Sequence, residues 1–125
     1  MVSIMTRSRE QLHSVLLSVM AEAYRQTIDE ADGEYEVEDF SHHVYYQPPD
    51  GLQMKYPALV YEKSSASTQF ADDRPYVYTN RYTLTVIDPD PDSLIPDNIG
   101  MLPRCTKDRH FVVDNLHHDV FMMYY

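Results

Sequence analysis

Apolar residues recur at Leu12, Val15, Leu16, Val19, Met20 and Ala23, the i, i+3, i+4, i+7 spacing that places one stripe along a helix. Ser8 stands before the run as a candidate N-cap, so the pattern predicts a helix from there through about Gln26. From Thr27 to Ser41 the periodicity stops. Asp29, Glu30, Asp32, Glu34, Glu36, Glu38 and Asp39 crowd one segment broken by Gly33, too charged to bury, and an exposed loop is expected there.

Beyond it the period changes to two. His43 to Tyr46 reads as a short strand stopped by Pro48-Pro49-Asp50-Gly51, and Tyr56 to Glu62 as a second one, apolar on both faces and so suited to a covered position. Val77 to Ile87 alternates: Tyr78, Tyr82, Leu84 and Val86 share one face, Thr79, Arg81, Thr83 and Thr85 the other. Asp88-Pro89-Asp90-Pro91-Asp92 ends that strand, and Asp92 or Ser93 can cap a short helix over Leu94, Ile95, Ile99 and Met101. Two more strands, about Arg109 to Val113 and Asp119 to Tyr124, form a hairpin around Asp114-Asn115. The order predicts a single α+β domain: a mostly antiparallel sheet packed against an N-terminal helix and a short second helix.

Charge narrows the function classes. Twenty acidic against ten basic side chains give a net −10, which argues against a surface that wraps nucleic acid by neutralising phosphates. Removing the seven charges of the acidic segment from that total leaves only −3. A lone cysteine, Cys105, precludes an internal disulfide framework, and no run approaches the roughly 18 apolar residues of a membrane helix. The N-terminus lacks the order of a secretory signal, so synthesis in the cytoplasm is expected.

Candidate chemistry is sparse. The pairs His42-His43 and His117-His118, with Asp108, His110, Asp114 and Asp119 nearby, offer ordinary divalent-metal ligands. Adjacent strand residues point to opposite faces, however, so at most one histidine of each pair could serve a common ion. The Asp88, Asp90, Asp92 alternation lacks the glycine and distal glutamate of a calcium loop. Cys105 near His110 lacks a third orienting group and reads as a small buried hydrophobe. With three glycines in all and no phosphate-binding loop, nucleophile elbow or H-E-x-x-H, an enzyme is the weaker class and no cofactor is expected.

The eleven tyrosines, Tyr45, Tyr46, Tyr56, Tyr61, Tyr76, Tyr78, Tyr82, Tyr124 and Tyr125 among them, exceed what so small a core would hold. A large ring with a polar tip is favoured at protein interfaces. The bland alternative is a monomer with an aromatic-rich sheet.

Four segments carry a resemblance: VYYQPP at Val44 to Pro49, MKYPALVYE at Met54 to Glu62, FADDRPYVYTNRYTLTVIDPDPDS at Phe70 to Ser93, and IGMLPRCTKDRHFVVDNLHHDVFMMYY from Ile99 to Tyr125. Together they resemble the tail terminator or tail completion proteins found at the head-tail joint of tailed bacteriophages. The resemblance implies a hexameric ring of this chain, seated on the last ring of the tail tube protein and presenting a surface to the head's connector or adaptor protein. It further implies a virion location at the neck, assembly in the host cytoplasm, DNA met only in passage through the lumen, no membrane and no reaction. The candidate subunit and tube interface then comprises Tyr78, Thr79, Arg81, Thr83, Thr85, Asp114, Asn115, His117, Tyr124 and Tyr125.

The acidic segment, at about residues 27–42, departs from that family's pattern and looks like an insertion. It is expected to face the lumen or a basic patch on an adjoining ring. Three alternatives stay open: a head-side adaptor of the neck, a metal-dependent hydrolase using His110, His117 and Asp119, and a monomeric accessory domain.

Overall fold

The computed structural model describes residues 9–71 and 74–125, with residues 65–71 and 74–79 described as backbone only. Helix α1 runs Arg9–Ala31; β1 is Val44–Tyr46, β2 Ala58–Ala71, β3 Arg74–Asp88, α2 Ile95–Gly100, β4 Cys105–Val113 and β5 Leu116–Tyr124. The candidate cap Ser8 lies outside the described residues. The fold is the expected α+β arrangement. A five-stranded sheet in the order β1-β2-β3-β5-β4 is antiparallel throughout except for the β1–β2 pair.

Both helices cover one face. Leu12, Leu16, Met20 and Ala23 of α1 and Ile95 and Ile99 of α2 join Leu59, Tyr61, Tyr82, Leu84, Val86, Phe121 and Met123 of the sheet in one buried cluster. This is the periodicity of the sequence made solid: the i, i+3, i+4 stripe of α1 lies across the alternate residues of β2, β3 and β5. Tyr61 is buried, yet its hydroxyl reaches the margin of α1, accepting from Arg9 at 3.2 Å and lying 2.7 Å from His13 Nδ1.

The structure extends or corrects several expectations. Helix α1 continues past Gln26 to Ala31, so Asp29 and Glu30 are helical and the exposed loop begins at Asp32. Arg25 pairs with Glu22 and Asp29 one turn away on either side, and Ala31 is buried, which carries the helix through its acidic end. Asp32 and Gly33 then close it with positive φ angles of 48° and 76°. The second strand continues from Glu62 to Ala71, held by β3 rather than by any apolar pattern of its own. At α2 neither expected residue is the N-cap; Leu94 is, without a side-chain cap, while the Ser93 hydroxyl accepts from Ile95 N–H at 3.2 Å. Met101, expected on the apolar face of that helix, is 84% exposed.

The closing hairpin turns at Asp114-Asn115 with φ angles of 53° and 63°, the pair of left-handed residues that a tight hairpin needs and that Asp and Asn tolerate best.

Candidate interaction surface

Because α1 and α2 share one face of the sheet, the residues that alternate with the core point the other way, and no helix among the described residues covers them. On this open face the register places Val60 beside Thr85, Thr85 beside Val120, Thr83 beside Met122 and Arg81 beside Tyr124. Ala58, Ile87 and Val120 are buried there; Val60, Arg81, Thr83, Thr85 and Met122 are half-buried, and Tyr124 is exposed. Thr83 Oγ1 donates to Met122 Sδ at 3.4 Å, so even the polar side chains of this face rest on apolar neighbours.

Its rim is planar and cationic. The His118 ring stacks on Phe111 with centroids 4.7 Å apart and 13° between planes, and the Arg109 guanidinium lies 5.7 Å from the Phe111 centroid. His118 Nδ1 donates to the Leu116 carbonyl at 3.0 Å, which fixes the ring in that stack. An apolar centre edged by flat, polar-tipped groups is the composition of a protein-contact surface. Sequence reasoning found Arg81, Thr83, Thr85 and Tyr124 here but missed Val60, Phe111, His118, Val120 and Met122. Long-range pairing selects the latter: β2 and β5 beside β3 place Val60, His118, Val120 and Met122 on the face of Thr85, and β4 beside β5 adds Phe111.

The remaining candidates scatter. Asp114 and Asn115 form the hairpin turn, exposed at the sheet's end. Tyr78 and Thr79 hold register positions opposite Thr68 and Ser67, and their side chains lie outside the described residues. Tyr125 is a correction: its ring is buried in the core cluster and its N–H donates to Asn80 O at 3.0 Å, so it serves the fold and not an exposed face. His117 points to the helix-covered side.

There it meets His110 and Asp119, the three residues of the hydrolase alternative, because His110 faces Asp119 across the hairpin and His117 lies two residues along the same strand. The His110 and His117 rings stack at 5.5 Å. Asp119 is only 7% exposed, and its Oδ1 accepts from both His110 Nδ1 at 2.8 Å and Lys107 Nζ at 3.0 Å. A carboxylate held by two donors satisfies its own burial. Among the described residues no three His, Cys, Asp or Glu side chains are arranged to hold a metal ion. His43 likewise bonds the Pro57 carbonyl through Nδ1 at 2.9 Å, while His42 is exposed. Cys105 is half-buried, and burial raises its thiol pKa, the condition of an inert packing group.

All seven acids of the acidic segment are exposed. Glu30, Glu36 and Glu38 border the same shallow groove as Asp88, Asp90 and Asp92 of the turn after β3. The fold therefore gathers two acidic stretches, read separately in the sequence, onto one side. Asp88 is the buried member: burial, above all, raises its carboxyl pKa, opposed by bonds from Ser93 and from Asp90 N–H at 2.8 Å. No helix among the described residues is long and apolar enough to cross a membrane. No protein-family model, curated protein or solved structure matches this chain.

Proposed function

We propose that this chain is a structural virion subunit of a tailed bacteriophage, whose copies close into a ring, hexameric in the family that it resembles, at the head-tail joint. The ring caps the tail tube and joins it to the head connector. One observation carries the reading: among the described residues the sheet has helices on one face only, and its other face offers half-buried and exposed residues with a rim of stacked planar groups. A chain with a modest core gains stability by covering such a face with a neighbour. The exposed acidic side suits either the lumen, where like charge keeps passing DNA from adhering, or a basic patch on an adjoining ring.

Electron microscopy of particles made while this gene is silenced during infection tests the proposal. Overlong tails without heads are the expected result, since tube growth would lose its cap. Tails of normal length beside separate DNA-filled heads would reassign the chain to a head-side adaptor, and normal infectious particles would exclude the structural role.

A further inference from the structure

The sheet continues into a two-stranded arm. β1 accompanies β2 only as far as Tyr61, and β5 accompanies β3 only from Arg81, whereas β2 and β3 stay paired out to Ala71 and Arg74. Residues 65–71 and 74–79 thus have a strand on one side only among the described residues. Seven residues reach about 23 Å at the usual strand rise. A two-stranded ribbon is marginal in water unless a third strand or another surface supports it.

The two edges of the arm differ. On the β3 side Pro75 has no N–H to offer. On the β2 side Ser65-Ala66-Ser67-Thr68-Gln69-Phe70-Ala71 contains neither proline nor charge, two of the usual devices that keep an edge from pairing, and the register shift between Gln69 and Phe70 puts its extra residue on β3, between Pro75 and Val77. At the far side of the sheet β4 is also an edge without a partner among the described residues, and its first half is guarded by a bulge between Lys107 and Arg109 and by those two charges. Its second half, His110 to Val113, has no such guard, and Phe111, Val112 and Val113 are 36%, 53% and 49% exposed.

These two unguarded edges lie on opposite sides of one sheet. A contact that joins opposite, unlike surfaces repeats by rotation, as a ring requires, while a contact of like with like stops at a pair. We infer that residues 65–71 of one copy add as a strand to residues 110–113 of a second copy of this chain, so that one sheet runs from subunit to subunit. The second copy is the occupant because the chain itself supplies both halves of the joint. Backbone hydrogen bonds would give the contact its strength. The inference rests on the ring reading and specifies the joint within it.

The test compares three chains by light scattering after gel filtration, alone and with tail tube protein, and by circular dichroism: the native chain, V112K, and a chain with residues 67–79 replaced by Asn-Gly. The short turn keeps Ala66 opposite Asn80 and so keeps the bond from Tyr125 N–H. Assembly of the native chain is expected, with both variants folded but reduced to the mass of a single chain, 14.6 kDa before shortening. In a C105S background, T68C together with V112C should cross-link copies through a short bismaleimide, and neither cysteine alone should do so. Variants that assemble like the native chain, or an assembled chain without the cross-link, would overturn the joint and leave the ring standing. A native chain that stays single under every condition would overturn the ring reading and the joint with it. If the shortened chain does not fold, the cross-link alone decides.

Discussion

At the scale of single residues, the margin of the core is sensitive to acid at one point. Arg9 donates to the Tyr61 hydroxyl, which leaves the Tyr61 O–H to donate to His13 Nδ1. Burial, and then the Arg9 charge, lower the His13 pKa from its ordinary 6.5. The folded state therefore takes up this proton less readily than the unfolded chain. The contribution of His13 to stability is fully present above pH 6.5 and is lost as pH falls below that value toward the lowered one. Denaturant unfolding at pH 7.5 and 5.5 should show the native chain losing stability on acidification. H13Q, which keeps an acceptor without the titration, should lose less; an equal loss in both would place the effect elsewhere. Arg9 and His13 are one helical turn apart, but their shared partner Tyr61 is 48 residues from His13, and no local pattern signals that triad.

At the scale of elements, the hairpin turn depends on two residues with positive φ. Asn115→Val should lower stability by about 1–2 kcal/mol, because a β-branched side chain is strained in the left-handed region, while Asn115→Gly should be close to neutral. Urea midpoints of the two variants check this. The turn, α1 and the alternating half of β3 were legible in the sequence because each follows from neighbours a few residues apart. The arm half of β2 was not: Ser64-Ser65-Ala66-Ser67-Thr68-Gln69 has no apolar alternation and is a strand through its pairing with β3. The last turn of α1 was hidden for a related reason. Its acids read as loop, and only the ion pairs of Arg25 and the burial of Ala31 hold them in a helix. The open face was half legible, since alternation in β3 gives Arg81, Thr83 and Thr85 but long-range pairing selects Val120 and Met122.

At the scale of the whole molecule, charge is polarised. Three of the seven acids from the end of α1 and the loop after it, Glu30, Glu36 and Glu38, share one groove with Asp88, Asp90 and Asp92 of the turn after β3, in a chain of net charge −10. Replacing Asp29, Glu30, Asp32, Glu34, Glu36, Glu38 and Asp39 by their amides would bring the net charge to −3 without touching the core. Fold and ring formation should survive, while DNA ejection slows or head joining weakens, measured as ejection kinetics and as the fraction of headless tails. Unchanged ejection and joining would remove both roles for the acids.

A smaller feature bears on the proposed ring. Where the arm leaves the body of the sheet, the register skips between Lys63 and Ser65, leaving Ser64 as an extra residue whose Oγ donates to Arg81 O at 3.1 Å. An extra residue of this kind bends its strand and tightens the local twist. If neighbours join through the arm, that bend fixes the angle through which each subunit turns relative to the last. The number of subunits that complete a circle is then a matter of curvature at one serine, and a straighter strand would trade closure for an open, winding filament.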